Sequence, residues 1–376
     1  MENVAQLLTR NVRRYFLLIL FVVAETAADL CPPPASLAPA CTCTTLAEGV
    51  GINCRAVRDV GDLLGAFRLV TGPISEISIS DSPQLKNFAL ESLEEVPNLK
   101  DLQSLMMYRI VINIPAAPKP LNYPKLRSLN ISKNGIRDFP QPLLSNLTEL
   151  TYLNLSHNAM TAIFPGHFDS LKKLETLDLT NNKLNYLPPL TFQGAPKLRI
   201  LKLGRNALRD LSSEMFRGTK ALEELDLSQN VIRYIPREMM NEFQNLKVLS
   251  LHRNWIIDVP GNTFQNLTLL EKLVLSGNGL KYLSADSFKG LEVLTNLDLS
   301  NNGLEYIPEG LLEPLKELEV LNISFNRIKS MPASLMKNLK SLRRLDIRRT
   351  LITFVPGDIY GLVSPASNVR VLQLLS

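Results

Sequence analysis

The strongest constraint in this sequence is a period. The string LxxLxLxxNxL begins at Leu126 (LRSLNISKNGI) and recurs at Leu150, Leu174, Leu198 and Leu222, 24 residues apart each time. It continues with the same spacing at Leu246, Leu270, Leu294, Leu318 and Leu342. Two looser copies precede it, at Ile74 (ISEISIS) and Leu102 (LQSLMMY), and a partial copy follows at Val369. A fixed period of this length means stacked units. Within LxxLxL the fourth and sixth positions are apolar and alternate with polar ones, as in a short strand with one buried face. One such strand cannot bury its apolar side alone, so the units share a continuous core. The expected fold class is an α/β solenoid with a curved parallel β-sheet on its concave face.

The return path carries its own apolar set. Phe168, Phe192, Phe216, Phe264 and Phe288 all take the nineteenth position of their units, and Met240, Leu312 and Met336 fill that place elsewhere. A strand face narrower than this bulky side bends the stack, with the sheet on the inside. The ninth position is an asparagine column: Asn134, Asn158, Asn182, Asn206, Asn230, Asn254, Asn278, Asn302 and Asn326. A sharp turn at each rung leaves backbone N–H and C=O groups inside, and an amide side chain can both donate and accept. That structural role outweighs a ligand-binding ladder. Thr350 replaces the asparagine in the last full unit, and the next interval is 27.

Residues 74–376 resemble extracellular leucine-rich repeat proteins of the 24-residue class, similar to Slit, chaoptin, Toll ectodomains and the small leucine-rich proteoglycans. The resemblance implies a leucine-rich repeat horseshoe.

The expected domains are a signal peptide (1–28), a disulfide-bonded amino-terminal cap (29–73) and the repeats (74–376). Arg10, Arg13 and Arg14 precede the apolar run YFLLILFVVA, and small residues follow at Thr26, Ala27 and Ala28. Ten apolar residues are too few to span a bilayer, so this segment reads as a secretory signal cleaved near Ala28 rather than an anchor. All four cysteines, Cys31, Cys41, Cys43 and Cys54, then fall in one segment. Confined there, with no histidine near, they argue for two disulfides in an oxidising compartment rather than zinc. Their job is to cover the first rung. Three pairings are open on the sequence. Resemblance to the caps of secreted leucine-rich repeat proteins implies Cys31–Cys43 and Cys41–Cys54. The form CPPP…ACTCT is similar to arthropod secreted members, one of them a non-catalytic subunit of a secreted enzyme.

Five sequons accord with secretion, at Asn130, Asn146, Asn154, Asn266 and Asn322. Asn146 and Asn266 lie on the return path. Asn130, Asn154 and Asn322 take the fifth position, on the open sheet face. Sugars there would leave that face free between Leu174 and Leu294.

No catalytic constellation appears, and the expectation is a protein that is not an enzyme and carries no cofactor. His157, His167 and His252 are scattered, and there is no phosphate loop, HExxH or GxSxG string. Asp178, Asp226, Asp298 and Asp346 all take the fifth position, which reads as a solvated strand face. Surface is what remains. Across the free rungs, outward positions include Ile200, Lys202, Glu224, Asp226, Val248, His252, Lys272 and Val274, apolar spots among charges of both signs. Such a mixture suits another extracellular protein as partner. Trp255, the only tryptophan, is a further candidate anchor. Residues 337–376 hold seven Lys or Arg and two Asp, +5, equal to the formal charge of the whole chain. Arg343, Arg344, Arg348 and Arg349 form its core. That rung could take sulfated glycans, the second reading; nucleic acid is not expected. A non-catalytic subunit of a secreted enzyme is the third. The end at SNVRVLQLLS would leave Leu372 and Leu374 uncapped. Three explanations are open: a piece of a longer chain, which could be a receptor or adhesion ectodomain; a homodimer or subunit contact there; or an open end that is simply tolerated.

Overall fold

The structure is a computed structural model. It describes residues 30–33, 36–85, 88–96, 98–115, 117–332, 339–353 and 370–372. The expected signal peptide, Met336, Val369 and Leu374 lie outside these. The chain divides into two compact units, Met1–Asn134 and Gly135–Ser376. The first therefore takes in the two looser copies as well as the cap.

In the first unit, β1 (Cys41–Leu46) and β2 (Gly49–Arg55) form an antiparallel hairpin in which Cys41 stands opposite Cys54. That register chooses the disulfides: Cys41 bonds Cys54, and Cys43 reaches back to Cys31. Helix α1 (Val60–Arg68) starts where the Asp59 carboxylate accepts the N–H groups of Gly61 and Asp62 at 2.7 and 3.2 Å, a side-chain N-cap. It buries Leu63, Leu64, Ala66 and Phe67. β3 (Ile74–Ser82), β5 (Ser104–Ile110) and β7 (Ser128–Asn130) continue from β2 in parallel, and β4 (Phe88–Ala89) pairs β6 (Ile112–Asn113). Asp81 bridges Arg55 and Arg109 at 3.2 Å each.

The second unit is a run of three-residue parallel strands, one per repeat. They are β8 (Tyr152–Asn154), β9 (Thr176–Asp178), β10 (Ile200–Lys202), β11 (Glu224–Asp226) and β12 (Val248–Ser250). β13 (Lys272–Val274), β14 (Asn296–Asp298), β15 (Val320–Asn322), β16 (Arg344–Asp346) and β17 (Arg370–Leu372) follow. From β8 to β16 each residue pairs with the one 24 positions on. β17 breaks the count: Leu345 stands beside Val371 and Asp346 beside Leu372. This corrects the expected last copy by one residue: in backbone register Val371, not Leu372, stands in the row of Leu321 and Leu345. A one-residue slip exchanges the two faces of a strand.

The return path is mostly turns, with one helical piece at Ser213–Phe216 and 3-10 turns at Gln141–Leu144 and Arg237–Glu242. Its core is the expected aromatic column. Phe168, Phe192 and Phe216 stack with centroids about 6 Å apart (6.1 and 6.0 Å). Met240 then takes the column position, and Phe243 packs edge-on against Phe216 at 5.3 Å. The asparagine column works as the backbone argument requires. Asn254 donates to the carbonyls of Leu227 (2.9 Å) and Leu251 (3.1 Å) and accepts from Ile232 N–H (3.1 Å). Each amide thus ties its own turn to the preceding rung. Thr350 makes one such bond, to the Ile347 carbonyl at 2.8 Å.

Candidate functional site

On the open sheet face of the second unit, strands β12 to β16 enclose a groove of about 440 Å³. Its lining includes His252, Lys272, Val274, Ser276, Asn296, Asp298, Val320, Asn322, Arg344 and Asp346. The pleat explains this set. The fourth and sixth positions point inward, where Leu273, Leu297 and Leu321 are buried, so the third, fifth and seventh are left to line the face. Three rungs separate Lys272 from Arg344, about 14 Å at the strand spacing. Both are exposed, and neither forms an ion pair with another described residue. Val274 and Val320 give the groove an apolar middle.

The acids of the groove are already engaged. Asp298 Oδ1 accepts from Ser300 N–H at 2.9 Å. Asp178 and Asp226 hold Thr180 and Ser228 in the same way, and Asn154 holds Ser156. The fifth-position carboxylates are therefore backbone braces as well as a polar face, a role the sequence reading did not assign. Asp346 departs further from expectation: it is buried, with 2% of its surface exposed. Arg348 lies over it, its Nη2 at 2.6 Å from Oδ2 and its Nε at 2.9 Å from Oδ1. Burial pushes the Asp346 carboxyl up, but the Arg348 hydrogen bonds outweigh it and hold the group below its ordinary value. His252 Nδ1 lies 2.8 Å from Ser276 Oγ. No nucleophile, base and oxyanion donor converge here, and among the described residues no cluster could hold a metal ion.

The expected partner residues are split by the structure. His252, Lys272 and Val274 line the groove. Ile200, Glu224 and Val248 line a smaller cleft of about 230 Å³ with Arg199, Glu223 and Lys247. There Glu223 receives Arg199 at 2.6 Å and Lys247 at 2.9 Å, which hold its carboxyl at about 2. Lys202 and Asp226 line neither of these two depressions. Sequence reasoning missed Asn296, Val320 and Arg344 as members of one site because the window was cut at Leu294. They obey the same third-position rule as Ile200 and Lys272, so the signal was there.

The basic rung is also divided. Arg343 sits at the sheet edge and pairs with Glu319 at 3.3 Å, and Arg348 is committed to Asp346. Arg344 joins the groove, and Arg349 is exposed at a left-handed corner with φ 56°. Of the sequons, Asn146 and Asn266 are exposed, whereas Asn130, Asn154 and Asn322 are half-buried on the sheet face. Asn322 Oδ1 accepts from Ser324 N–H and Oγ at 3.1 and 2.7 Å.

The leucine-rich repeat family model matches residues 124–184, 172–232, 244–304 and 316–364, more than half of the chain. The chain is a leucine-rich repeat protein. No curated protein sequence matches it. A chain of the TLR13–ssRNA13 complex is 28% identical, with a TM-score of 0.58 over 79% of this chain and 49% of that one. This leucine-rich repeat protein therefore spans about half the length of that relative. An internalin of Listeria monocytogenes superposes at 0.66 with 19% identity, covering 87% of this chain and 86% of its own. A chain of the Drosophila Toll–Spatzle complex gives 0.59 and 20%, over 89% of this chain and 51% of that one. These two show the solenoid fold alone. Among the described residues, no helix is long and apolar enough to cross a membrane.

Proposed function

We propose that this leucine-rich repeat protein is a protein-binding module whose sheet-face groove, from His252 to Arg344, holds an extended segment of a partner. The observation that carries this is the groove's charge pattern: two exposed, unpaired cations about 14 Å apart flank an apolar floor, while the nearby carboxylates are satisfied internally. Such a surface suits a segment with apolar side chains between two acidic ones, the charges giving register and the apolar contact affinity. The similar Toll and TLR13 chains come from complexes with Spatzle and with ssRNA13. The satisfied acids and valine floor favour a peptide here. The test is selection from a displayed peptide library on the intact protein. Acidic–apolar–acidic sequences should emerge, and Lys272→Glu with Arg344→Glu should weaken them at least about tenfold while Lys202→Glu does not. Peptides indifferent to both groove changes would refute the reading.

The chain acts outside the cytoplasm in this proposal, entering the secretory route through residues 1–28. Two disulfides in the cap support that compartment. Exposed Asn146 and Asn266 are the expected sugar carriers. Expression in a secretory eukaryotic host should yield a chain starting near Asp29 whose mass falls by two glycans on enzymatic deglycosylation. Retention of residues 1–28 would count against it.

A further inference from the structure

A second surface of the second unit, independent of the groove, carries a pattern of its own. After each strand the chain turns through a left-handed corner at the eighth position and runs along a flank through positions ten to thirteen. Arg205 and Arg253 occupy corners, with φ 56° and 52°. Arg209, Arg233, Lys281 and Lys329 share the twelfth position. All six are exposed, and none forms an ion pair with another described residue. The contrast with the opposite edge is sharp. There Lys173, Arg199, Lys247, Lys316 and Arg343 each meet a glutamate one repeat away. The stack neutralises its cations where charge serves stability, and on the flank it does not. Asp210, Asp258 and Glu305 share these rows and leave cations in excess.

Aromatic rings are interleaved with this charge. Tyr234, Tyr282 and Tyr306, all at the thirteenth position, are about half exposed (53, 54 and 47%), as is Trp255 at 55%. Tyr282 and Tyr306 lie with centroids 6.1 Å apart, and the Arg233 guanidinium stands 5.7 Å from the Trp255 ring. Exposed apolar side chains grouped into one patch mark a contact surface, whereas single ones do not. From Arg205 to Lys329 the row crosses six rungs, about 24 Å. Charge is thus spread along a line with flat ring faces at rung spacing, rather than gathered round a cavity.

We propose that this flank binds a linear sulfated polysaccharide. Its sulfates would lie along the unpaired cations, and its pyranose C–H faces would stack on the Tyr and Trp rings. Cations spaced along a line suit a linear polyanion, ring faces among them suit one built of pyranose units, and a cap closed by two disulfides accords with an oxidising compartment outside the cytoplasm. This moves anion binding away from Arg343 and Arg348, whose charges are already met.

The probe is a heparin oligosaccharide titrated into the intact protein, read by the emission of Trp255, the single tryptophan. Binding should shift that emission and weaken steeply with salt. Arg209→Ser, Arg233→Ser and Lys281→Ser together should weaken it at least about tenfold and lower the slope against log salt by about two. Removing the same charge from the paired edge, with Lys173→Ser, Lys247→Ser and Lys316→Ser, should cost less than about threefold. Equal losses from both triple variants would show that net charge alone is felt and would overturn the proposal. So would equal binding of desulfated heparin, or tighter binding of a single-stranded RNA of matched charge. Loss of groove peptides leaves these measurements untouched, so the two proposals fail separately.

Discussion

Asn230 shows what one residue per rung accomplishes. Its amide donates to the carbonyls of Leu203, Leu227 and Ser228 at 3.0, 3.0 and 3.2 Å, and its oxygen accepts from Leu208 N–H at 3.0 Å. Aspartate has the same shape but cannot donate when ionised. Asn230→Asp should therefore destabilise the protein by about 3 kcal/mol or more, from two or three buried carbonyls left unpaired. Asn301→Asp, at an exposed corner, should change the urea midpoint little; equal effects would show that the ladder bonds carry no stability. At this scale the sequence was readable wherever a position repeats. It misled at Asp346, where the fifth position was taken as uniform. The rung that carries Asp346 has arginine at the seventh position, where its neighbours have Ser276, Ser300 and Ser324. Alternation puts Asp346 on one face with Arg344 and Arg348, so their proximity is legible in the sequence; the burial of Asp346 under Arg348 is not.

Among the elements, the strands and their register were legible because a 24-residue count leaves no freedom: a slip of one would turn every buried leucine outward. The aromatic column was legible for the same reason. What could not be read is what does not repeat. Phe243 fills space beside Met240 from three residues along, outside the column. The pairing of β16 with β17 follows an interval broken by Thr350, with neither asparagine nor spacing to mark the phase. Cysteine spacing alone left three disulfide pairings open; the pairing implied by resemblance to secreted caps is the one found, and the β1–β2 hairpin gives its physical reason by setting Cys41 opposite Cys54. The groove was half legible: its positions obeyed the outward rule, but the window drawn from the sequons stopped at Leu294 while the groove runs on to Arg344.

For the molecule as a whole, titration below neutral pH points one way. Burial lowers the proton affinity of His167, against a hydrogen bond with the Phe139 backbone, and its Nδ1 accepts Phe164 N–H at 2.9 Å. The Arg199 and Lys247 partners hold Glu223 at about 2. In each case the folded state binds its proton more weakly than the unfolded one, so stability is full above the ordinary value and is lost as pH falls toward the folded value. The thermal midpoint should be level from pH 8 to 7 and decline below about 6.5 as His167 is drawn toward protonation. It should fall again between about 4.5 and 2 as the acids follow. His167→Gln should remove the first decline and keep the second; a midpoint that rises between pH 6.5 and 5 would contradict the assignment.

The asparagine bonds also have a direction. Asn254 completes the carbonyl of Leu227 and the amide of Ile232, both in the rung made before it, and the same backward reach recurs at Asn182 and Asn326. On a ribosome, then, each rung is finished only when the next has emerged, and the newest is always the incomplete one. At ordinary rates of synthesis, 24 residues take roughly one to five seconds. The nascent chain would present a single unsealed rung throughout, renewed on that clock, whatever the length already built.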